Sequence, residues 1–175
     1  GFDELSPSSL SITDFSCFNI LFDELFKYSK KNNIALSLPS LRVGSIKEDV
    51  AEKIADFRKT GFTVAPETSP SLQRALNKNI DFNMMAKDIE TAFSMGWRNI
   101  KLYFMIGLPE ESEKDLLEIN DFVNYILKTA KHLKPHITLS FSNFIPKPHT
   151  PLQWVKMASI NELLNKQKIL KDLFY

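Results

Sequence analysis

The sequence alternates short apolar segments with amphipathic helical segments, and this alternation restricts the fold more than any other feature. Its clearest instance is the run Asn99–Ile106 (NIKLYFMI), which stops at Gly107 and is followed by a helical pattern that begins near Ser112. Strands that are separated by helices pair in parallel through right-handed crossovers. We therefore predict one α/β domain over residues 1–175, built around a parallel sheet.

The pattern predicts five strands and the helices between them. Strands are predicted at residues 5–12, 34–38, 62–65, 99–106 and 137–144. Helices are predicted at residues 18–31, 45–60, 83–95, 112–131 and 159–175, and a short helix opens at Ser69. Capping boxes are predicted at Ser45 with Glu48, Ser112 with Asp115, and Ser159 with Glu162. A complete eight-unit barrel needs ~200 residues or more, so the chain can form only an open sheet or part of a barrel.

Composition excludes several classes of function. The formal net charge of +1 provides no field that would attract nucleic acid, and aromatic residues are not interleaved with a basic patch. No apolar run approaches the ~20 residues that a membrane-spanning helix needs, so no membrane partner is predicted. The single cysteine, Cys17, is expected to be buried, and so low a cysteine content fits a reducing, cytoplasmic setting.

Short motifs with a known mechanism are absent from the sequence. The chain has no GxGxxG, GxxxxGK[ST], GxSxG or HExxH string, and no two histidines have the spacing of metal ligands. One cysteine cannot build a multi-cysteine zinc site. The residues themselves therefore predict no metal site and identify no catalytic residue.

Prolines and ionisable residues follow the predicted strands, at the edge where parallel α/β proteins place their chemistry. The candidates there are Arg42, Glu67, Glu110, Glu111 and His149, with Lys78 after the short helix. Each has a structural explanation as well, because carboxylates favour helix starts and isolated loop charges are usually solvated. Lys78 is either a helix-end charge or an ion-pair partner for a bound carboxylate.

Two strings in the sequence resemble a known protein family. They are residues 101–110 (KLYFMIGLPE) and residues 144–154 (FIPKPHTPLQW). Together with Phe62–Glu67 and the pair Asn77 and Lys78, they resemble the core of radical S-adenosylmethionine proteins. Within that family, the subgroup similar to cobalamin-dependent enzymes matches best, and the proline-rich string is the most specific piece.

The resemblance covers about residues 5–154, with residues 155–175 as a C-terminal helix. It implies a partial barrel of the (βα)6 TIM-like type, with parallel strands and with the first strand missing from this chain. In the family, that first strand leads to a loop whose three cysteines bind an iron–sulfur cluster, where S-adenosylmethionine is cleaved to methionine and a 5′-deoxyadenosyl radical. The chain is thus predicted to be a fragment that lacks the N-terminal part of its own protein.

The resemblance also implies roles for residues at the strand ends. Glu67 resembles the residue that contacts the methionine part of the cofactor, and Glu110 resembles the acidic residue that closes the motif after the fourth strand. Gly107 resembles the glycine that lets adenine lie against the backbone, with Ile106 or Leu108 packed on the base. The residues implied on the open, substrate-facing side are Arg42, Lys78 and His149.

Two other interpretations remain open from the sequence. One is a cluster-free barrel domain that acts as a binding or regulatory module, and the other is an unrelated barrel enzyme that uses Glu67, Glu110 and His149 in acid–base chemistry. Under the main interpretation the full-length protein is an enzyme, while the isolated chain is inactive because it lacks the cluster cysteines. Tyr103 and Met105 stand where the family motif often has glycine and isoleucine, and neither the substrate nor the use of cobalamin follows from the residues.

Overall fold

The computed structural model describes residues 3–5, 7, 15–36, 62–74, 76, 80–94 and 98–174. The helix predicted at 45–60 and the candidates Arg42 and Lys78 lie outside these residues. The described strands are β1 (Glu4–Leu5), β2 (Ala35–Leu36), β3 (Phe62–Glu67), β4 (Asn99–Ile106) and β5 (His136–Asn143). The described α-helices are α1 (Phe18–Asn32), α2 (Phe82–Ser94), α3 (Glu113–Thr129) and α4 (Ile160–Phe174).

The strands pair in parallel throughout the described residues. β1 pairs with β2, and β4 lies between β3 and β5 in a three-stranded sheet. The register sets Ile100 of β4 beside Phe62 and Ile137. The predicted α/β class with parallel strands is therefore confirmed, and a strand order that follows the chain order is what a partial barrel requires.

One face of the three-stranded sheet packs against helices and forms the main core. Ile100, Leu102, Phe104 and Ile106 of β4 are buried, while the residues between them are more exposed. The helices α1, α2 and α3 cover this face with Phe22, Met85, Ile89, Phe93, Ile119 and Val123. Burial of each such side chain contributes about 1.5–3 kcal/mol, so this face determines which side of the sheet lies inside.

The boundaries of most elements agree with the prediction, and the differences have local causes. The first predicted strand is an exception, because β1 is only Glu4–Leu5 and Pro7 lies outside any strand; residues 8–12 and 37–38 of the first two predicted strands lie outside the described residues. β4 has the predicted bounds, whereas β3 continues two residues farther, to Glu67. The short helix predicted to open at Ser69 is a 3-10 helix at Leu72–Arg74, and the Leu72 N–H donates to Ser69 Oγ at 3.1 Å. Cys17 is exposed rather than buried, because it directly precedes α1 as its N-cap residue. None of the described helices is both long and apolar enough to cross a bilayer.

Two of the predicted capping boxes are confirmed at the starts of α3 and α4. The Ser112 N–H donates to Asp115 Oδ2 at 2.8 Å. The Ser159 N–H donates to Glu162 Oε2 at 2.6 Å, and the Glu162 N–H donates to Ser159 Oγ at 3.3 Å. These bonds satisfy backbone donors that the first turn of a helix leaves free.

Candidate functional site

The carboxyl ends of β3, β4 and β5 lie at one edge of the sheet, because these neighbouring strands are parallel. Four residues at or after these ends have a left-handed backbone: Glu67 (φ 71°), Gly107 (φ 79°), Glu110 (φ 61°) and His149 (φ 61°). Left-handed residues other than glycine are uncommon, and they cluster at functional sites. This edge is therefore the candidate functional site.

A buried carboxylate, Asp115, connects the segment after β3 to the start of α3. Its Oδ1 accepts hydrogen bonds from Ser69 Oγ at 2.6 Å and from Ser71 Oγ at 2.9 Å. Its Oδ2 accepts from the Ser112 N–H at 2.8 Å and from Ser112 Oγ at 2.6 Å. Only 6% of Asp115 is exposed. The turn after β3 and the turn after β4 are thus held in one hydrogen-bonded unit.

The same hydrogen bonds set the charge state of Asp115. Burial raises the pKa of this carboxyl, but the bonds from Ser112, Ser69 and Ser71 outweigh burial and lower the pKa to about 2. Hydrogen bonds to the ionised form favour that form. Asp115 is therefore a carboxylate at neutral pH, and it serves as an acceptor rather than as a proton donor.

A second buried carboxylate, Glu111, holds the turn that follows β4. Its Oε2 accepts the Gly107 N–H at 2.7 Å and lies 2.7 Å from the ammonium of Lys166 on α4. Lys166 also donates to the Glu111 backbone carbonyl at 2.9 Å. The Glu111 side chain is fully buried, and its Oε1 has no hydrogen-bond partner among the described residues. The C-terminal helix is thereby attached to the turn at the candidate site.

Position 107 requires glycine, because of its backbone conformation and because of the atoms packed around it. Its φ of 79° is unfavourable for other residues, and a Cβ added there would lie 2.6 Å from Leu163 Cδ2 and 3.2 Å from Ala158 Cβ. The side of Gly107 that a side chain would occupy therefore faces α4. The sequence prediction that this glycine admits adenine stays a prediction, because packing already accounts for the residue.

We expect Gly107→Ala to lower the free energy of unfolding by about 2 kcal/mol, through backbone strain together with the overlap with Leu163. Denaturant unfolding of both proteins measures the difference. A loss smaller than ~0.5 kcal/mol, the usual range for a neutral surface change, would contradict the close packing of α4 on this turn.

Two of the predicted cofactor-contacting side chains lie in the protein core. Ile106 is 1% exposed and packs with Leu163, and Leu108 is 5% exposed and packs with Leu72 and Phe144. A base bound at this edge would therefore meet the backbone around Gly107 rather than these side chains.

The remaining described candidates lie at the same edge but differ in exposure. Glu67 is half-buried at the end of β3, and Glu110 is exposed in the turn after β4. His149 is exposed in the loop after β5, where its backbone N–H donates to Gln153 Oε1 at 3.1 Å. Thr68, next to Glu67, is fully buried, and its Oγ1 has no hydrogen-bond partner in the described part of the chain.

Sequence reasoning missed several residues that organise this edge. It assigned Asp115 to a helix cap only, and it did not separate the buried Glu111 from the exposed Glu110. Lys166 and Thr68 were not singled out. No local signal in the sequence separates Glu111 from Glu110, and Lys166 has none either, because its partner is 55 residues away.

A large groove lies on the helix-covered side of the sheet and reaches the carboxyl end of β4 at Ile106. It has a volume of about 810 Å³ and runs between β5, α3 and α4, with Phe141, Val123 and Leu170 among its lining residues. These residues belong to the face of the sheet that the helices cover. Apart from Ile106, none of the residues described above at the polar edge lines the groove.

The fold is similar to that of solved structures that are only distantly related in sequence. Coproporphyrinogen III oxidase (HemN) from Escherichia coli, described as a radical SAM enzyme, matches 99% of this chain and 41% of its own, with a TM-score of 0.61 and 17% identity. SuiB of Streptococcus suis matches 97% of this chain and 35% of its own, with a TM-score of 0.60 and 13% identity. The chain therefore has a fold related to that of radical SAM enzymes, as the sequence resemblance predicted.

One curated relative matches in sequence. The uncharacterized protein MJ0966 of Methanocaldococcus jannaschii is 29% identical over 147 residues, which is 83% of this chain and 31% of that protein. No protein-family model matches the chain. The chain spans about a third of the length of this relative and less than half of either solved structure.

Proposed function

We propose that this chain forms the later strands of the barrel of a radical S-adenosylmethionine enzyme, and that the edge beyond β3 and β4 contributes to binding S-adenosylmethionine. Fold similarity alone does not determine function, so the site must carry the proposal. The observation that carries it is the left-handed backbone of Glu67 and Gly107. Glu67 ends β3 and Gly107 directly follows β4, and the sequence resemblance assigns cofactor contacts to these two strand ends.

The residues after β3 fit the polar part of this cofactor. Glu67 presents a carboxylate at the strand end, and Thr68 has a buried hydroxyl that lacks a partner among the described residues. A carboxylate accepts from an ammonium group and a hydroxyl donates to a carboxylate, which are the two groups of the methionine part. When bound at a reduced iron–sulfur cluster, S-adenosylmethionine supplies hydrogen-atom abstraction.

The residues of this chain would position the cofactor rather than react. Glu67 would hold the amino group and Thr68 the carboxylate. The pair formed by Glu111 and Lys166 would fix the Gly107 turn against which the base lies. The chain has one cysteine, so the cluster ligands would come from a part of the protein outside residues 1–175. The same proposal includes a cytoplasmic location and a cobalamin-binding segment outside this chain. It specifies no substrate.

Titration of the 15N-labelled 175-residue chain with S-adenosylmethionine tests the site. We expect saturable shifts of the Thr68 and Leu108 amide signals, with a Kd of order 1 mM (about 4 kcal/mol) because the cluster is not part of the chain. Glu67→Gln should weaken binding about tenfold, since a hydrogen bond to a charged group is lost. Glu90→Gln, on the exposed side of α2, is the matched control and should leave the Kd unchanged.

Two results would count against the proposal. One is the absence of saturable shifts at Thr68 and Leu108 while the chain remains folded. The other is an unrelated domain encoded in the reading frame upstream of Gly1, which would favour the cluster-free binding module instead. We expect that reading frame to encode a strand followed by three closely spaced cysteines.

A further inference from the structure

The face of the three-stranded sheet opposite the helices is polar. On β4, Lys101, Tyr103 and Met105 alternate with the buried residues and point to this face, where Tyr103 is 37% exposed. Parallel sheets are usually covered on both faces by apolar packing. Within the described residues this face carries Met105 together with a lysine, a tyrosine and hydroxyls, and such polar groups are typical of a binding surface rather than of a core.

Hydroxyl groups flank the lysine on both neighbouring strands. The register places Thr63 of β3 and Thr138 of β5 beside Lys101, and Ser140 beside Tyr103. Register partners in a parallel sheet point to the same face, about 4.8 Å apart. Lys101 therefore lies in the middle of a row of hydrogen-bonding groups that crosses all three strands.

The Lys101 ammonium lies over an aromatic ring. Its Nζ lies 4.7 Å from the centroid of the Tyr103 ring. Among the described residues it forms no ion pair. A cation over a ring is oriented but keeps N–H donors for another partner. Because Tyr103 is two residues nearer the carboxyl end of β4, the side chain is directed toward the candidate site.

We infer that this face binds an oxyanion, a carboxylate or a phosphate, of the substrate, with Lys101 as the cation and Thr63 and Thr138 as hydroxyl donors. The inference rests on the proposed function, because it takes the face that carries Lys101 as the one that lines the barrel interior, where substrate binds. Gly107 is the fourth residue after Tyr103, which corresponds to about 13 Å along the strand. The substrate therefore carries its anionic group about 13 Å from the turn at which the cofactor is proposed to lie.

NMR of the 175-residue chain with 13C-labelled lysine tests this inference. The probes are glutarate, glycerol phosphate and the neutral analogue glutaramide. We expect a saturable shift of the Lys101 Cε signal with at least one anion and none with glutaramide. A response to glutarate only, or to glycerol phosphate only, identifies the class of oxyanion. The exposed Lys87 on α2 reports non-specific binding and should show only small, linear changes.

Variants complete the test. Lys101→Met removes the Lys101 Cε signal itself, so this variant is followed in 15N-labelled protein through the Tyr103 and Thr138 amide signals, which should show no saturable shift with either anion. Thr138→Val should weaken binding about threefold in the Lys101 Cε signal, whereas Lys87→Met should leave binding unchanged. Lys101→Arg keeps the charge and should still bind the same anion, as measured through amide signals. This variant separates the loss of the charge from misfolding of Lys101→Met. The inference is overturned if neither anion gives a saturable shift, or if Lys87 responds as Lys101 does. S-adenosylmethionine titration of Lys101→Met should still shift Leu108, so the two proposals fail separately.

Discussion

Replacing Lys166 with methionine is expected to lower the free energy of unfolding by about 3–5 kcal/mol. Lys166 is the cation paired with the fully buried Glu111 side chain, so its removal leaves a buried carboxylate without a counter-charge. The Glu111 backbone carbonyl loses its hydrogen bond from Lys166 at the same time. Denaturant unfolding at neutral pH measures the change through the midpoint and the slope of the transition.

Two further variants separate the buried charge from a general loss of contacts. Lys168→Met removes an exposed lysine from the same helix and should change stability by less than ~0.5 kcal/mol. Combining Lys166→Met with Glu111→Gln removes both charges and should recover at least about half of the loss. If Lys166→Met costs no more than Lys168→Met, the ion pair does not hold α4 to the turn.

The pair also connects stability to the candidate site. Glu111 accepts the Gly107 N–H through the same Oε2 that pairs with Lys166. The position of the turn after β4 therefore depends on a helix that comes more than fifty residues later in the chain. A cofactor that lies against this turn would be positioned by α4 without touching it.

Periodicity predicted the sheet well because each β4 residue belongs clearly to one face. Ile100, Leu102 and Phe104 alternate with Lys101 and Tyr103, and the predicted bounds of the strand match the structure. The capping boxes were also predictable, since their partners lie three residues apart. Local spacing thus determines the elements and their starts.

The candidate site was only partly predictable, because its contacts join distant segments. Ser69 and Ser71 reach Asp115 across 46 and 44 residues, and no local pattern specifies these pairs. Glu110 and Glu111 are adjacent in the sequence, yet one is exposed and the other holds the turn. The two glutamates differ in their environment because Glu110 has a left-handed backbone. That backbone conformation follows from how the turn packs rather than from residue type.

The second large effect is expected at low pH and centres on Asp115. Hydrogen bonds from Ser112, Ser69 and Ser71 outweigh burial and hold its pKa at about 2, below the ordinary value of 3.8. A carboxyl whose pKa is lowered by folding stabilises the folded chain above its unfolded pKa, and this contribution is lost as the pH falls through the folded pKa. It amounts to about 2 kcal/mol, present above about pH 4 and lost between about pH 4 and pH 2.

Asp115→Asn should therefore destabilise the chain at neutral pH and remove part of its pH dependence. At pH 6 the loss should be about 2–3 kcal/mol, because the amide has one acceptor oxygen and its NH2 group faces serine donors. Denaturant unfolding at pH 6 and pH 2.5 should show the difference from wild type shrinking at the lower pH. Asp121→Asn, on the exposed side of α3, is the matched control and should have little effect at either pH. A difference that stays constant between the two pH values would mean that the segment after β3 is held by contacts other than this carboxylate.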